Sequence, residues 1–164
     1  MLRVKINPGG YKRLRTLAEA IPLSEGDKSG PLLRALDQVH VVQVKRAFQS
    51  QGGSVPSGPW PKLSPRYAEW KKRQVGKKKI LRFTDTLYEK ATSPRHGNHI
   101  ARYMAPFTFA LGFRDDPGFF HQEGGPTLPK RSLVDKGESD LAAFRRALTE
   151  FWIKRLRQVL RGRR

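Results

Sequence analysis

One stretch, residues 31–49, constrains the fold more than any other. Leu33, Leu36, His40, Val44 and Phe48 fall at spacings of three and four, the period of an amphipathic helix. Pro31 suits a first helical position, where its missing N–H is not needed and its φ is already helical. Leu32, Val39, Val41 and Val42 widen the apolar stripe beyond one face. A helix this apolar is either central to a core or covered by a neighbour. A second helix is as clear over residues 139–160, where Leu141, Phe144, Leu148, Phe151 or Trp152, Leu156 and Val159 trace one face.

The remaining elements are shorter. Leu2, Val4 and Ile6 alternate with Arg3, Lys5 and Asn7 until Pro8-Gly9-Gly10 ends the pattern, which is the period of a half-buried strand. Residues 107–113 alternate in the same way. Residues 11–21 read as a short helix with Leu14, Leu17 and Ile21 on one face, and residues 80–92 as another with Leu81, Thr84, Leu87 and Tyr88 inward. A helical turn is expected over 67–72, a basic tip at 77–79, and a turn at Asp115-Asp116-Pro117-Gly118. About 50–66 the chain turns rich in Gly, Ser and Pro and carries one large aromatic, Trp60. That reads as a long mobile loop. The expected fold is α+β: three main helices packed on a small, mostly antiparallel sheet, with this long Gly/Pro-rich loop. A single domain spanning 1–164 is expected, with a basic tail at 161–164.

Charge narrows the function classes. The chain of 164 residues carries 33 Lys and Arg against 14 Asp and Glu, a net charge of +19. Self-repulsion of that size is relieved by a polyanion or by an acidic protein surface. The run Lys71, Lys72, Arg73, Lys77, Lys78, Lys79 reads either as a phosphate-contacting loop or as a solvated hairpin tip. Lys154, Arg155, Arg157, Arg161, Arg163 and Arg164 form a second basic patch, part of which complements a helix C-terminus. Aromatics are not interleaved with the lysines, so sequence-specific readout is not expected.

Chemistry-bearing groups are sparse. There are no cysteines, so disulfides and thiolate sites are excluded. His96 and His99 have no carboxylate near them in the sequence, and His121-Gln122-Glu123 lacks the second histidine of a zinc helix. His40 reads as a satisfied core residue. Gly9-Gly10, Gly52-Gly53 and Gly124-Gly125 match neither a dinucleotide fingerprint nor a P-loop, and no serine stands in a nucleophile elbow. No catalytic residue, metal or cofactor is expected, nor an enzyme. No apolar run approaches the ~20 residues that cross a bilayer, and the N-terminus has no signal-peptide core. Synthesis in a host cytoplasm is expected.

The order of the motifs resembles a known family. Gln51-Gly52-Gly53 leads to Trp60-Pro61-Lys62-Leu63-Ser64-Pro65, with Tyr67 and Lys71 behind; then come Ile80-Leu81-Arg82-Phe83-Thr84-Asp85-Thr86-Leu87, Phe120-His121-Gln122-Glu123-Gly124 and Lys130-Arg131-Ser132-Leu133. Over residues 31–160 this is similar to the phage virion-morphogenesis or tail-completion family. That family shows a Gly-rich loop into Trp-x-x-Leu-Ser, a Leu-x-x-Thr-Gly-x-Leu helix start, a Tyr-Ala-x-x-His-Gln-x-Gly strand end and a Pro-x-Arg-x-Phe-Leu loop. Asp85 stands in place of the family's Gly, Phe119-Phe120 in place of Tyr-Ala, and Arg131-Ser132-Leu133 lacks the Phe.

The resemblance implies a non-catalytic virion protein at the neck or head-proximal tail, resembling a tail terminator. As partners it implies copies of the chain itself in a ring, taken here as a hexamer, and the neighbouring neck, connector and tail-tube proteins. Packaged DNA would be a further, non-specific partner; no membrane is involved. The expected subunit-interface residues are Trp60, Leu63, Tyr67, Phe119, Phe120, His121 and Arg131. Trp60 has two readings, an anchor on a neighbour or a plug on its own core. Contacts to a polyanion or an acidic partner are expected from Lys71, Lys72, Arg73, Lys77, Lys78, Lys79, Arg161, Arg163 and Arg164. The alternative is a nucleic-acid-binding protein of ribosomal type without sequence preference.

Overall fold

The computed structural model describes residues 2–5, 30–105 and 108–161. The helix expected over 11–21, together with Ile6, the Pro8-Gly9-Gly10 turn, Phe107, Arg163 and Arg164, lies outside them. The elements are β1 (Leu2–Lys5), α1 (Pro31–Ser50), α2 (Pro65–Val75), α3 (Thr86–Thr92), β2 (His99–Ala105), β3 (Thr108–Phe113), α4 (Asp116–Glu123) and α5 (Glu138–Arg161). The fold is α+β. Among the described residues, two long helices and three short ones accompany a three-stranded antiparallel sheet of order β1-β3-β2.

β3 is the central strand, and Phe109, Ala110 and Leu111 are fully buried. Such a strand needs cover on both faces, and Ala110 and Gly112 are small enough to permit close approach on one of them. β2 alternates: Ala101 and Tyr103 pack toward the core while Arg102 and Met104 are exposed. Its register shifts between Tyr103 and Ala105, the signature of a bulge beside the β2–β3 connection.

α1 is the spine. Leu32, Leu33 and Leu36 in its first half pack with Phe109, Leu111 and Phe144 of α5. Val44, Ala47 and Phe48 in its second half pack with Val55, Trp60, Ala91 and Leu133. Its wide apolar surface is therefore mostly internal: Leu32 and Val41 are buried, Val39 is half-buried, and Val42 stays exposed.

Residues 51–60 form a string of hydrogen-bonded turns against α1, not the open loop their composition suggests. The Gly52 N–H donates to the Ala47 carbonyl at 2.9 Å and the Trp60 N–H to the Gln51 carbonyl at 2.8 Å. Gly52 sits at φ +86°, and a Cβ there would run into the Trp60 indole and its backbone nitrogen. Only glycine meets both conditions.

Cap chemistry explains two helices that periodicity missed. Ser64 accepts a hydrogen bond from the Tyr67 N–H with Pro65 at the first position, so α2 runs eleven residues where a single turn is expected. Asp115 accepts from the Gly118 N–H with Pro117 close behind, so the expected turn is the start of α4. Ser or Asp followed by Pro is helix-start chemistry as much as turn chemistry. The helix expected over 80–92 begins only at Thr86, because Leu81 (φ 59°) and Asp85 (φ 66°) are left-handed.

Candidate functional site

Four separated stretches meet around α2. Trp60 donates its Nε1–H to the Ser132 carbonyl at 2.9 Å. Arg131 donates from Nε (3.2 Å) and Nη2 (3.1 Å) to the Pro61 carbonyl, and its backbone N–H donates to the His121 carbonyl at 2.7 Å. Gln122 Oε1 accepts from the Leu133 N–H at 2.7 Å and the Val134 N–H at 3.2 Å. Side chain-to-backbone bonds thus hold together segments that carry no ladder of their own.

Between these stretches lies a cleft of about 740 Å³. One wall is Lys62, Leu63, Ser64, Tyr67 and Lys71; the opposite wall is residues 81–85 with Leu87; His121, Thr127–Pro129 and Arg131 close the third side. Asp85 is its one carboxylate. Asp85 Oδ1 receives Arg82 Nε at 2.6 Å and Oδ2 receives Lys78 Nζ at 3.1 Å, and these bonds hold its carboxyl below the usual range. Burial pulls Lys71 and Arg131 below their ordinary values; Asp85 partly offsets this for Lys71. Burial also lowers His121, with repulsion from Arg131 adding to it.

Compared with protein-family models, characterised proteins and solved structures, the chain shows no significant match.

The cleft gathers Leu63, Tyr67, His121 and Arg131 from the seven expected interface residues. Phe119 and Phe120 stand apart on α4 and are 60% and 57% exposed. Trp60 is corrected: it is 4% exposed, edge-on to Phe48 at 5.5 Å and bonded to Ser132. It is a core plug and cannot reach a neighbour. Arg131 is also only 4% exposed and ties the loop 130–134 to Pro61, so it shapes the cleft from within.

The basic run divides by its bonding. Lys71 is 4% exposed and donates to the Lys79 carbonyl at 2.6 Å. Lys78 reaches the Phe83 carbonyl and Asp85, and Lys79 donates to the Gln49 carbonyl at 2.8 Å, at the negative end of α1. These three fasten the 76–85 segment. Lys78 and Lys79 stay exposed despite these bonds, as do Lys72, Arg73 and Lys77, Arg73 with only a surface pairing to Glu69 at 3.9 Å. On α5, Arg161 is exposed.

Sequence reasoning missed an aromatic ladder. Tyr67 and Trp70 share a face of α2 with ring centroids 5.4 Å apart, and Trp70 stacks on Phe83 at 5.5 Å and 7°. Both helix residues are exposed. The i, i+3 spacing on a helix capped by Ser64 is the signal that could have found it. The histidines also differ from expectation. His99 Nε2 lies 2.8 Å from Asp37 Oδ1, both nearly buried, a partner from far along the chain. His40 is buried, yet neither ring nitrogen has a hydrogen-bond partner among the described residues. No three His, Asp or Glu side chains gather as a metal set among the described residues, and no helix there is long and apolar enough to cross a membrane.

Proposed function

We propose that this chain is a structural subunit of a tailed-phage particle, a neck or tail-completion protein that closes into a ring with copies of itself at the head–tail junction. In this reading it is a virion component without catalysis, assembled in the host cytoplasm, and its neighbours are connector and tail-tube proteins. One observation carries it: the stretches on which the family resemblance rests, scattered over residues 60–133, converge on one cleft and are cross-bonded around it. Asp85 adds support. It adopts φ 66° at the position where the family carries glycine, the residue most at ease there. The exposed pair Phe119–Phe120 offers aromatic surface of the kind that anchors subunit contacts.

Copy number in purified particles tests this, by quantitative mass spectrometry against a tail protein of known stoichiometry. Six copies are expected. A single copy per particle excludes a homomeric ring. A second reading, nucleic-acid binding of ribosomal type, is favoured by the Tyr67–Trp70–Phe83 ladder beside Lys72, Arg73 and Lys77, since bases stack on exposed aromatics and cations track phosphates. Copurification with ribosomal RNA and not with virion proteins would favour it.

A further inference from the structure

The cleft holds more positive charge than its own residues neutralise. Lys62, Lys71, Arg82 and Arg131 line it against the single carboxylate of Asp85, whose two oxygens are already held by Arg82 and Lys78. Lys71 and Arg131 are each 4% exposed. Among the described residues neither has an ion pair; each is bonded to a main-chain carbonyl only. They also repel one another. His121 joins them with a buried Nδ1 that has no partner among the described residues. Asp85 offsets the burial of Lys71 only in part; a buried cation without a direct ion pair is costly, and a carboxylate delivered to it recovers much of that cost.

We propose that this cleft is a carboxylate-binding site, which takes an acidic side chain from a linear segment of an adjoining protein, with Lys71 and Arg131 as its cations. The walls decide between a peptide and a nucleic acid. Leu63, Leu81, Leu87, Leu128 and Pro129 make them largely apolar, which suits leucine-like neighbours of the acid. The volume of about 740 Å³ is that of a small-ligand pocket, which suits one side chain and its neighbours and not a duplex. A second copy of the chain is a poor donor, because with 14 Asp and Glu against 33 Lys and Arg it has few acidic segments to offer. The donor is therefore an acidic protein of different sequence. Naming it as the next layer of the neck rests on the ring reading; the site itself does not.

The probe is a short fluorescein-labelled peptide of alternating Glu and Leu, followed by anisotropy at physiological salt. Lys71→Met is expected to weaken binding about tenfold or more, the loss typical of one charged hydrogen bond. Lys72→Met removes the same charge from an exposed neighbouring position and is expected to change binding less than about twofold, because exposed charges are screened. Thr127→Glu, on the exposed rim, supplies a competing carboxylate and is expected to weaken binding without touching the core. It keeps the test alive if Lys71→Met fails to fold. Equal losses for the two lysine variants, with Thr127→Glu no weaker than the native chain, would overturn the site in favour of diffuse charge attraction. Tighter binding of oligothymidylate, lost in the same cleft variants, would overturn the peptide assignment. Light scattering on the same samples separates the two proposals. Cleft-specific binding by a chain that forms no ring supports this site and overturns the ring; rings whose cleft variants bind like the native chain overturn this site alone.

Discussion

The two apolar clusters that share α1 are built in different ways. The cluster around Leu36, Phe109, Leu111 and Phe144 comes from a helix, a strand and a helix, each with its own backbone ladder. The cluster around Phe48, Trp60 and Leu133 takes two of its largest side chains from segments without regular structure. Those segments are held by Trp60 to Ser132, Arg131 to Pro61 and Gln122 to Leu133 and Val134. In the first cluster, periodic burial shapes the backbone. In the second, a few side chains replace a ladder, and the cleft opens where they leave the loops apart. The more fragile construction is the one that forms the candidate site.

The largest test of that contrast is Trp60→Ala. Removing a buried indole leaves a cavity beside Phe48 and strands the Ser132 carbonyl, so a loss of about 3–5 kcal/mol is expected in urea unfolding of the isolated chain. An unchanged midpoint would mean that Trp60 is available to a neighbour after all and that the loop-built cluster does not depend on it.

The difference in construction also decides what is legible in the sequence. The helices at 31–50 and 138–161 follow from apolar spacing alone, and β1 and β3 from alternation. α2 and α4 do not, because Pro65 and Pro117 punctuate either a turn or a helix start, and only the cap bonds of Ser64 and Asp115 distinguish them. Of the site, Leu63, Tyr67, His121 and Arg131 follow from motif order. Motif order and charge runs carry no information on burial, so they leave Trp60 open between an anchor and a plug and do not separate Lys71 from its exposed neighbours. Lys71 belongs to a basic run in sequence, yet its helix position turns it inward to the Lys79 carbonyl. The Asp37–His99 pair spans 62 positions, and no local pattern announces it.

His40 lies on α1 between the clusters and sharpens the comparison by pH. Burial, with Lys136 and His99 adding repulsion, lowers its pKa to about 3 from an ordinary 6.5. The unfolded chain therefore binds the proton more readily than the folded one. The stabilising contribution is fully present above pH 6.5 and is lost as pH falls toward 3, with a slope approaching about 1.4 kcal/mol per pH unit. Unfolding free energy of the native chain minus that of His40→Leu, followed from pH 7 to 4, is expected to decline with that slope. A difference independent of pH would show that His40 is charged or solvated in the folded protein.

Asp85 gives the smallest effect, because two terms oppose each other there. A non-glycine residue at φ 66° costs roughly 1 kcal/mol, which Asp85→Gly relieves. The same change removes the bonds from Arg82 and Lys78. These are part-exposed pairs, worth about 0–1 kcal/mol together in such a setting. Asp85→Gly is therefore expected to lie within about 0.5 kcal/mol of the native chain. Asp85→Ala keeps the strain and loses the bonds, and is expected to lose about 1 kcal/mol. Chemical denaturation of the three proteins side by side reads the two terms separately. If Asp85→Gly and Asp85→Ala fall equally, the carboxylate matters more than the backbone angle. Asp85 would then act chiefly as the clasp of the cleft's far wall, and the loop-built half would depend on charge as well as on packing.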